Sequence, residues 1–209
     1  MDRETLEQAL IARHGAENQK KFAAASVGVA GLGGLGSHIA VHLARLGVGR
    51  LVLADFDQVD VTNLNRQHYF IHHLGRHKTE ALAEQLRQIN PWLDYEVHTC
   101  KVTADNACTL FQGCQVVCEA FDQADQKAML TQAILTGLPD TLLVAGSGMA
   151  GSGSANTIRT RKAMGRFYLC GDGESDIEQG QGLMAPRVAV CAAHQATMVM
   201  RLLLGQTEP

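Results

Sequence analysis

The sequence predicts an α/β fold: a Rossmann-like, doubly wound, mostly parallel sheet with helices on both faces and antiparallel strands at one edge. Three observations carry this expectation. A short apolar run, Val27-Gly28-Val29-Ala30, breaks into Gly31-Leu32-Gly33-Gly34-Leu35-Gly36-Ser37, and Ile39, Ala40, Leu43, Ala44 and Leu46 then recur at helical spacing. Further short apolar runs alternate with helical patterns along the rest of the chain. Two of those runs end on a carboxylate, Asp55 after the second and Asp122 after the fourth.

The 209 residues, 46% hydrophobic and 19% charged, suit one domain spanning 1–209. A net charge of −3 without a long basic run gives no general grip on nucleic-acid phosphate. No apolar run approaches the roughly 20 residues that span a bilayer, so no membrane segment is expected. The start, Met1-Asp2-Arg3-Glu4-Thr5, lacks a basic-then-apolar leader pattern, which predicts a cytoplasmic protein. The six cysteines, at 100, 108, 114, 118, 170 and 191, form no C-x-x-C pair, so neither a zinc site nor a disulfide framework is expected. Most of them read as small core residues.

Taken in order, Leu6, Leu10, Ile11, Ala12 and Phe22 predict an N-terminal helical segment within 1–25, broken near Gly15 and packed outside the sheet. Residues 27–30 are the first strand. Glycine takes positive φ without steric cost and lets the backbone approach a phosphate, and the helix that follows presents unpaired N–H groups to an anion. Gly31, Gly33, Gly34, Leu35 and Gly36 are therefore candidate nucleotide-binding residues. Gly47 and Gly49 close the helix, and residues 50–54 make a second strand ending in Asp55-Phe56-Asp57. Asp55 falls about twenty residues beyond the glycines, where a strand-end carboxylate accepts a hydrogen bond from a ribose hydroxyl. Capping of a turn is its alternative role.

Residues 58–76 form a long irregular stretch holding Asn63-Leu64-Asn65-Arg66-Gln67 and His68, His72 and His73. Loops of this length in a compact domain are usually functional, and Tyr69, Phe70, Leu64 and Leu74 argue for order. The histidines lack helical metal-ligand spacing and read as solvated or capping. Lys78 opens a helix to Ile89, stopped by Asn90-Pro91. A third strand follows at 95–99, a short helix at 105–112, and a fourth, apolar strand at 115–120 that delivers Asp122. A helix at 124–136, a strand at 141–145 and a glycine-rich crossing at 146–153 come next. Residues 157–160 and 167–170 read as two short antiparallel edge strands, with Arg159, Arg161, Lys162 and Arg166 as the one local basic concentration. Residues 171–184 are polar and glycine-rich and predict a mobile crossover loop; a last helix spans 185–205, with Pro186 near its start.

Asp55, Arg66, Gln67, Lys78 and Asp122 thus gather two cations and two acids around one glycine turn. That is more charge than a dinucleotide pyrophosphate needs, and it suits a nucleoside triphosphate with Mg²⁺. The pieces Gly31-x-Gly33-Gly34-Leu35-Gly36-Ser37, Asp55-x-Asp57-x-Val59, Asn63-Leu64-Asn65-Arg66-Gln67, Gly75-x-x-Lys78 and Asp122 fall in the order of the ThiF/MoeB (HesA) family of ubiquitin-activating-enzyme-like adenylyltransferases, which the sequence resembles over 27–122. Met184-Ala185-Pro186-Arg187 and the compact length are similar to its short ThiF-like branch.

The resemblance implies an enzyme that binds ATP with Mg²⁺. It implies transfer of AMP to the C-terminal glycine carboxylate of a ubiquitin-like sulfur carrier ending in Gly-Gly, in thiamine or related sulfur-transfer biosynthesis, and a homodimer. It implies that Asp55 holds the ribose, that Asn63, Arg66 and Lys78 hold the phosphates, that Gln67 orders the loop, that Asp57 belongs to the nucleotide site, and that Asp122 holds Mg²⁺. The catalytic group would be Arg66, Lys78 and Asp122. An ionised carboxylate attacking phosphorus needs no general base, so positioning and charge stabilisation suffice. The paired zinc cysteines of many members are absent. The N-terminal Arg-Tyr-x-Arg-Gln segment of many members is also missing, leaving Arg3 and Arg13 in other contexts. Cys170 and Cys191 are the late cysteines that could take over the activated carboxylate, with a core role as the alternative. Two other functions remain open to the residues alone: an NAD-dependent oxidoreductase, which the glycine turn and Asp55 would serve equally, and a non-catalytic nucleotide- or carrier-binding module.

Overall fold

A computed structural model describes residues 1–176 and 182–209. Six strands run parallel: β1 (Ser26–Ala30), β2 (Arg50–Asp55), β3 (Asp94–Thr99), β4 (Val116–Glu119), β5 (Leu142–Gly146) and β7 (Phe167–Gly171). Strand β6 (Arg159–Met164) runs against β7. Together they form one sheet in the order β3-β2-β1-β4-β5-β7-β6. The direction of winding reverses at β1, which pairs with β2 on one side and β4 on the other. Ligands of such sheets bind beyond the carboxyl ends of the strands at this reversal.

Helices cover both faces: α3 (Gly34–Leu46), α4 (Lys78–Ile89) and α7 (Ala185–Leu203) on one, α5 (Ala107–Leu110) and α6 (Ala124–Gly137) on the other. Strand β4 shows why its sequence is apolar without alternation. Val116 and Cys118 enter the core layer of Ile39, Leu43, Leu82 and Val199, while Val117 enters the layer of Phe111, Leu130 and Ile134. Both faces of the strand are buried, so both must be apolar. Burying each such side chain contributes about 1.5–3 kcal/mol. Outside the sheet, α1 (Arg3–His14) and α2 (Ala16–Ala23) are separated by Gly15, and α2 touches α7. Asp2 caps α1 by accepting from the Thr5 amide at 2.8 Å.

Two expectations are corrected. Only β6 is antiparallel; β7 is parallel to β5. The crossing after β5 spans two strand positions and lays β6 outermost, so the return strand β7 fills the gap and takes the direction of β5. The basic concentration also divides. Arg166 is not part of a charged surface: its guanidinium donates to the carbonyls of Leu135, Leu138 and Thr141 and ties the end of α6 to the β6–β7 turn. Of the two roles expected for the histidines, His73 takes capping: it is fully buried, its Nδ1 accepting from the Phe70 amide at 3.0 Å. In the expected mobile crossover loop, residues 177–181 lie outside the described residues.

Candidate functional site

The turn after β1 is held by backbone geometry that glycine alone permits. Gly31 has φ +85°, and a Cβ there would stand 2.9 Å from the carbonyl oxygen of Ala120; one at Gly36 would collide with the carbonyl of Gly31. Helix α3 therefore begins against the end of β1. Its first residue follows Gly33, which offers no side-chain cap, so the opening amides are left for another acceptor. Leu35 is buried and packs toward Gly146, so only its backbone is available to a ligand.

Asp55 is built into this turn. Its Oδ2 accepts from the Leu32 amide at 2.6 Å and its Oδ1 from the Asp57 amide at 2.8 Å. Burial pushes its carboxyl above the usual range, against the opposing charge of Lys78. Each oxygen keeps a second lone pair, so turn capping and ribose binding are compatible. Tyr69 locks the opposite side of the turn, its hydroxyl donating to the Leu32 carbonyl at 2.8 Å.

Lys78 opens α4, and its Nζ lies 2.7 Å from Asp57 Oδ2. The lysine side chain is 7% exposed and the aspartate 47%. Residues 58–76 bring the remaining groups in. Short 3₁₀ turns at Val61–Asn63 and Ile71–His73 order the loop, and His68 donates its amide to Ser37 Oγ at 3.0 Å, pinning the loop to α3. The stem of Arg66 passes over Gly34, with Cγ 3.7 Å from where a Cβ would stand, and Gln67 Nε2 has the same separation from Gly33. Arg66 Nη1 donates to Asn65 Oδ1 at 2.8 Å and the Thr62 carbonyl at 3.2 Å. His38 backs this arrangement, Nε2 lying 3.2 Å from the Arg66 carbonyl. Gln67 Oε1 is buried without a partner among the described residues.

The structure thus gathers Gly31, Gly33, Gly34, Leu35, Gly36, Asp55, Asp57, Arg66, Gln67 and Lys78 at one end of the sheet. Asn63 stands behind them: its Oδ1 accepts from the Asp60 amide at 3.1 Å and its carbonyl receives the Arg66 and Gln67 amides. Asp122 is exposed beyond β4, with no hydrogen bond or ion pair among the described residues. Arg3 and Arg13 lie exposed on α1, which buries none of its residues.

Sequence reasoning missed two ion pairs. Glu119, inside the apolar β4 run, is fully buried and ion-paired at 2.8 Å with Lys127 in the first turns of α6. Burial raises its carboxyl, and the lysine opposes that rise. The eight-residue spacing from strand end to helix start was the available signal. Arg187, in the first turn of α7, is buried and donates to the carbonyls of Ala150, Gly153 and Ser154, to Thr157 Oγ1 and to Asp172. Burial alone would raise Asp172, yet the Ser175 and Glu174 amides and the Arg187 guanidinium hold it at about 2. This knot borders a cavity of ≈ 520 Å³, lined by Gly151, Ser152, Gly153, Glu174, Gly182 and Met184. Val188, the next residue of α7, lies 3.0 Å from where a Cβ at Gly34 would stand, so the helix that borders the cavity also touches the glycine turn.

Cys170 and Cys191 are both buried, and burial pushes their thiols up to about 11 and about 12. Neither is poised as a thiolate nucleophile. His72, His73 and Glu84 bring ligand atoms within 4.8 Å of one another. Because His73 Nδ1 accepts the Phe70 N–H, its proton sits on Nε2, and neither nitrogen is open to a cation.

The ThiF family model matches residues 6–209. The chain is 29% identical over 215 residues to the adenylyltransferase and sulfurtransferase MOCS3 of Culex quinquefasciatus, covering 95% of this chain and 46% of that protein. It is 41% identical over 119 residues to the tRNA threonylcarbamoyladenosine dehydratase of Escherichia coli, covering 56% of this chain and 44% of that protein. The chain spans less than half the length of these curated relatives. Crystal structures of the Escherichia coli dehydratase TcdA with AMP and with ATP superpose with a TM-score of 0.85 at 26% and 25% identity, covering 95% of this chain and 93% of theirs. The chain belongs to the ThiF family.

Proposed function

We propose that the chain is a nucleotidyltransferase that binds ATP and attaches AMP to the C-terminal glycine carboxylate of a ubiquitin-like sulfur carrier protein, in thiamine or related sulfur-transfer biosynthesis. The observation that carries this reading is the passage of the Arg66 stem over the uncapped start of α3, together with Lys78 held on Asp57 next to the turn-bonded Asp55. In this reading Asp55 receives the ribose, the α3 amides with Arg66 and Lys78 receive the phosphates, and Gln67 keeps the loop over the turn. The relatives named as adenylyltransferases and the ATP complex of a structural neighbour support it.

The acceptor carboxylate attacks the α-phosphorus, forming an acyl–phosphate bond while the bond to the β-phosphate oxygen breaks and pyrophosphate leaves with the electron pair. The attacking group is already ionised near neutral pH, so the protein supplies alignment and positive charge. Lys78 is suited to follow that charge, because its present partner Asp57 is solvated and can be exchanged for phosphate. Asp122, an exposed carboxylate with no partner among the described residues, has the oxygen donors Mg²⁺ takes beside phosphate and water, and the ion would neutralise the departing pyrophosphate. The cavity beside the turn, walled by Gly151, Gly153 and Gly182, has room for an extended, side-chain-free tail.

Intact-mass measurement of a Gly-Gly-ended carrier after incubation with ATP and Mg²⁺ should show added AMP. Asp122→Ala should abolish that adduct while leaving the unfolding midpoint unchanged; activity retained in this variant removes Asp122 from the reaction. A cytoplasmic homodimer is part of the same reading, and light scattering that finds only monomer at high concentration argues against the dimer.

A further inference from the structure

Strand β6 closes the sheet at one edge: it pairs with β7, and no strand lies beyond it among the described residues. Five of its six residues are exposed, and the side chains of Arg159 and Arg161 make no hydrogen bond or ion pair among the described residues. The two faces of the strand differ. Thr160 reaches His194 of α7 at 3.0 Å, and Lys162 lies over the Tyr168 ring at 5.8 Å, so these two residues share the α7 face. By alternation Arg159 and Arg161 stand on the other face, opposite Gly171 and Leu169 of β7; Phe167, opposite Met164, shares that face with Leu169. Those two residues floor a crevice of ≈ 380 Å³ against Lys127, Ala128 and Thr131 of α6. An open strand edge is a template for another strand, and here it carries uncompensated positive charge beside an apolar floor.

The edge also leads to the acceptor cavity. Thr157, in the cavity wall, precedes Arg159 by two residues; Asp172, in the same wall, follows Gly171, the register partner of Arg159. Because β6 runs away from that end of the sheet, a strand added antiparallel to it would finish with its C-terminus at the cavity mouth. A carboxyl-terminal tail continuing past that point would enter the glycine-walled space.

We propose that the β6 edge is the docking surface for a protein substrate, which adds an acidic strand antiparallel to β6 and so aims its C-terminal tail at the cavity; this rests on the carrier-adenylylating reading above. The charge distribution selects the occupant. A second copy of this chain, paired across a two-fold axis, would bring the arginines of one edge toward those of the other, a like-charge pairing that costs stability. An RNA needs a broad basic surface, whereas this chain has net charge −3 and only Arg159, Arg161 and Lys162 exposed on this strand. An acidic strand satisfies both the open backbone and the arginines.

The test uses the full chain and a fluorescein-labelled synthetic peptide of alternating glutamate and valine ending in free Gly-Gly. Binding should protect the amides of residues 159–164 from hydrogen exchange. The double variant Arg159→Glu/Arg161→Glu should weaken that binding about tenfold or more, as should raising salt, while ATP binding, which reports the intact fold, stays unchanged. Equal affinity in the double variant, absence of protection in β6, or tighter binding of the lysine-for-glutamate peptide or of an RNA hairpin would overturn the proposal. If β6 is protected and the arginines matter but the peptide acquires no AMP under ATP and Mg²⁺, the docking surface stands and the adenylylating reading falls.

Discussion

Two lysine–carboxylate pairs sit at corresponding places in the two halves of the sheet, and their burial is inverted. In the first half, Lys78 at the start of α4 is 7% exposed and its partner Asp57, just past β2, is 47% exposed. In the second, Glu119 at the end of β4 is fully buried and its partner Lys127, near the start of α6, is 25% exposed. A buried carboxylate cannot give up its counter-charge without leaving an uncompensated ion in low dielectric. A solvated carboxylate can, because water replaces the lysine. The same two residue types therefore make a fixed strut in one half and a releasable cation in the other.

Matched substitutions test that difference. Lys127→Met keeps the stem but strands Glu119, and should lower unfolding free energy by about 3–5 kcal/mol in denaturant titration. Lys78→Met should lower adenylate formation by about 10²–10³-fold in single-turnover assays while changing stability by less than about 1 kcal/mol. If both variants lose mainly stability, the two pairs are equivalent and the contrast fails.

A third pair joins the buried Arg187 to Asp172, whose side chain is 11% exposed, and extends the comparison. The folded-state pKa of Asp172, about 2, lies below its ordinary 3.8. The ionised form is therefore the stabilising one: its contribution is present above about pH 4 and is lost as pH falls toward 2, a change of about 2 kcal/mol. Acid unfolding of Asp172→Asn should lack that portion of the pH dependence. The smallest effect is expected from Glu119→Gln, about 1–2 kcal/mol. It removes the buried charge and leaves Lys127 partly solvated, so it should cost less than Lys127→Met does.

Much of this arrangement was legible in the sequence, for reasons that differ by element. The glycine turn announced itself because a phosphate-accepting turn needs glycine at positions where a Cβ would strike backbone, as at Gly31 and Gly36. Helix α4 was readable at both ends, since Asn90-Pro91 stops it and Lys78 follows Gly75, which takes φ +79°. The direction of β7 was not readable, because a short strand carries no mark of direction; that follows from how far the preceding crossing travels. Glu119 was hidden by its apolar neighbours, and Arg166 and Arg187 were hidden by their own chemistry. A guanidinium can be buried among backbone carbonyls, and no sequence pattern distinguishes such an arginine from a surface one. The chain accordingly disclosed its glycine-turn half more fully than the half that holds the Arg187 cavity.

In the proposed reading, the Arg187 knot bears on how such a protein could change its acceptor. Through Val188 the first turn of α7 rests against Gly34, so the helix that ties the cavity wall also abuts the phosphate turn. A substitution that tilts this turn would be registered at both places at once, coupling acceptor choice to nucleotide handling. Ser152, Glu174 and Met184 line the same cavity and donate no side-chain hydrogen bond to the knot. If the cavity takes the acceptor as proposed, they are the positions at which selection, natural or in the laboratory, could redraw acceptor preference and leave the glycine turn undisturbed.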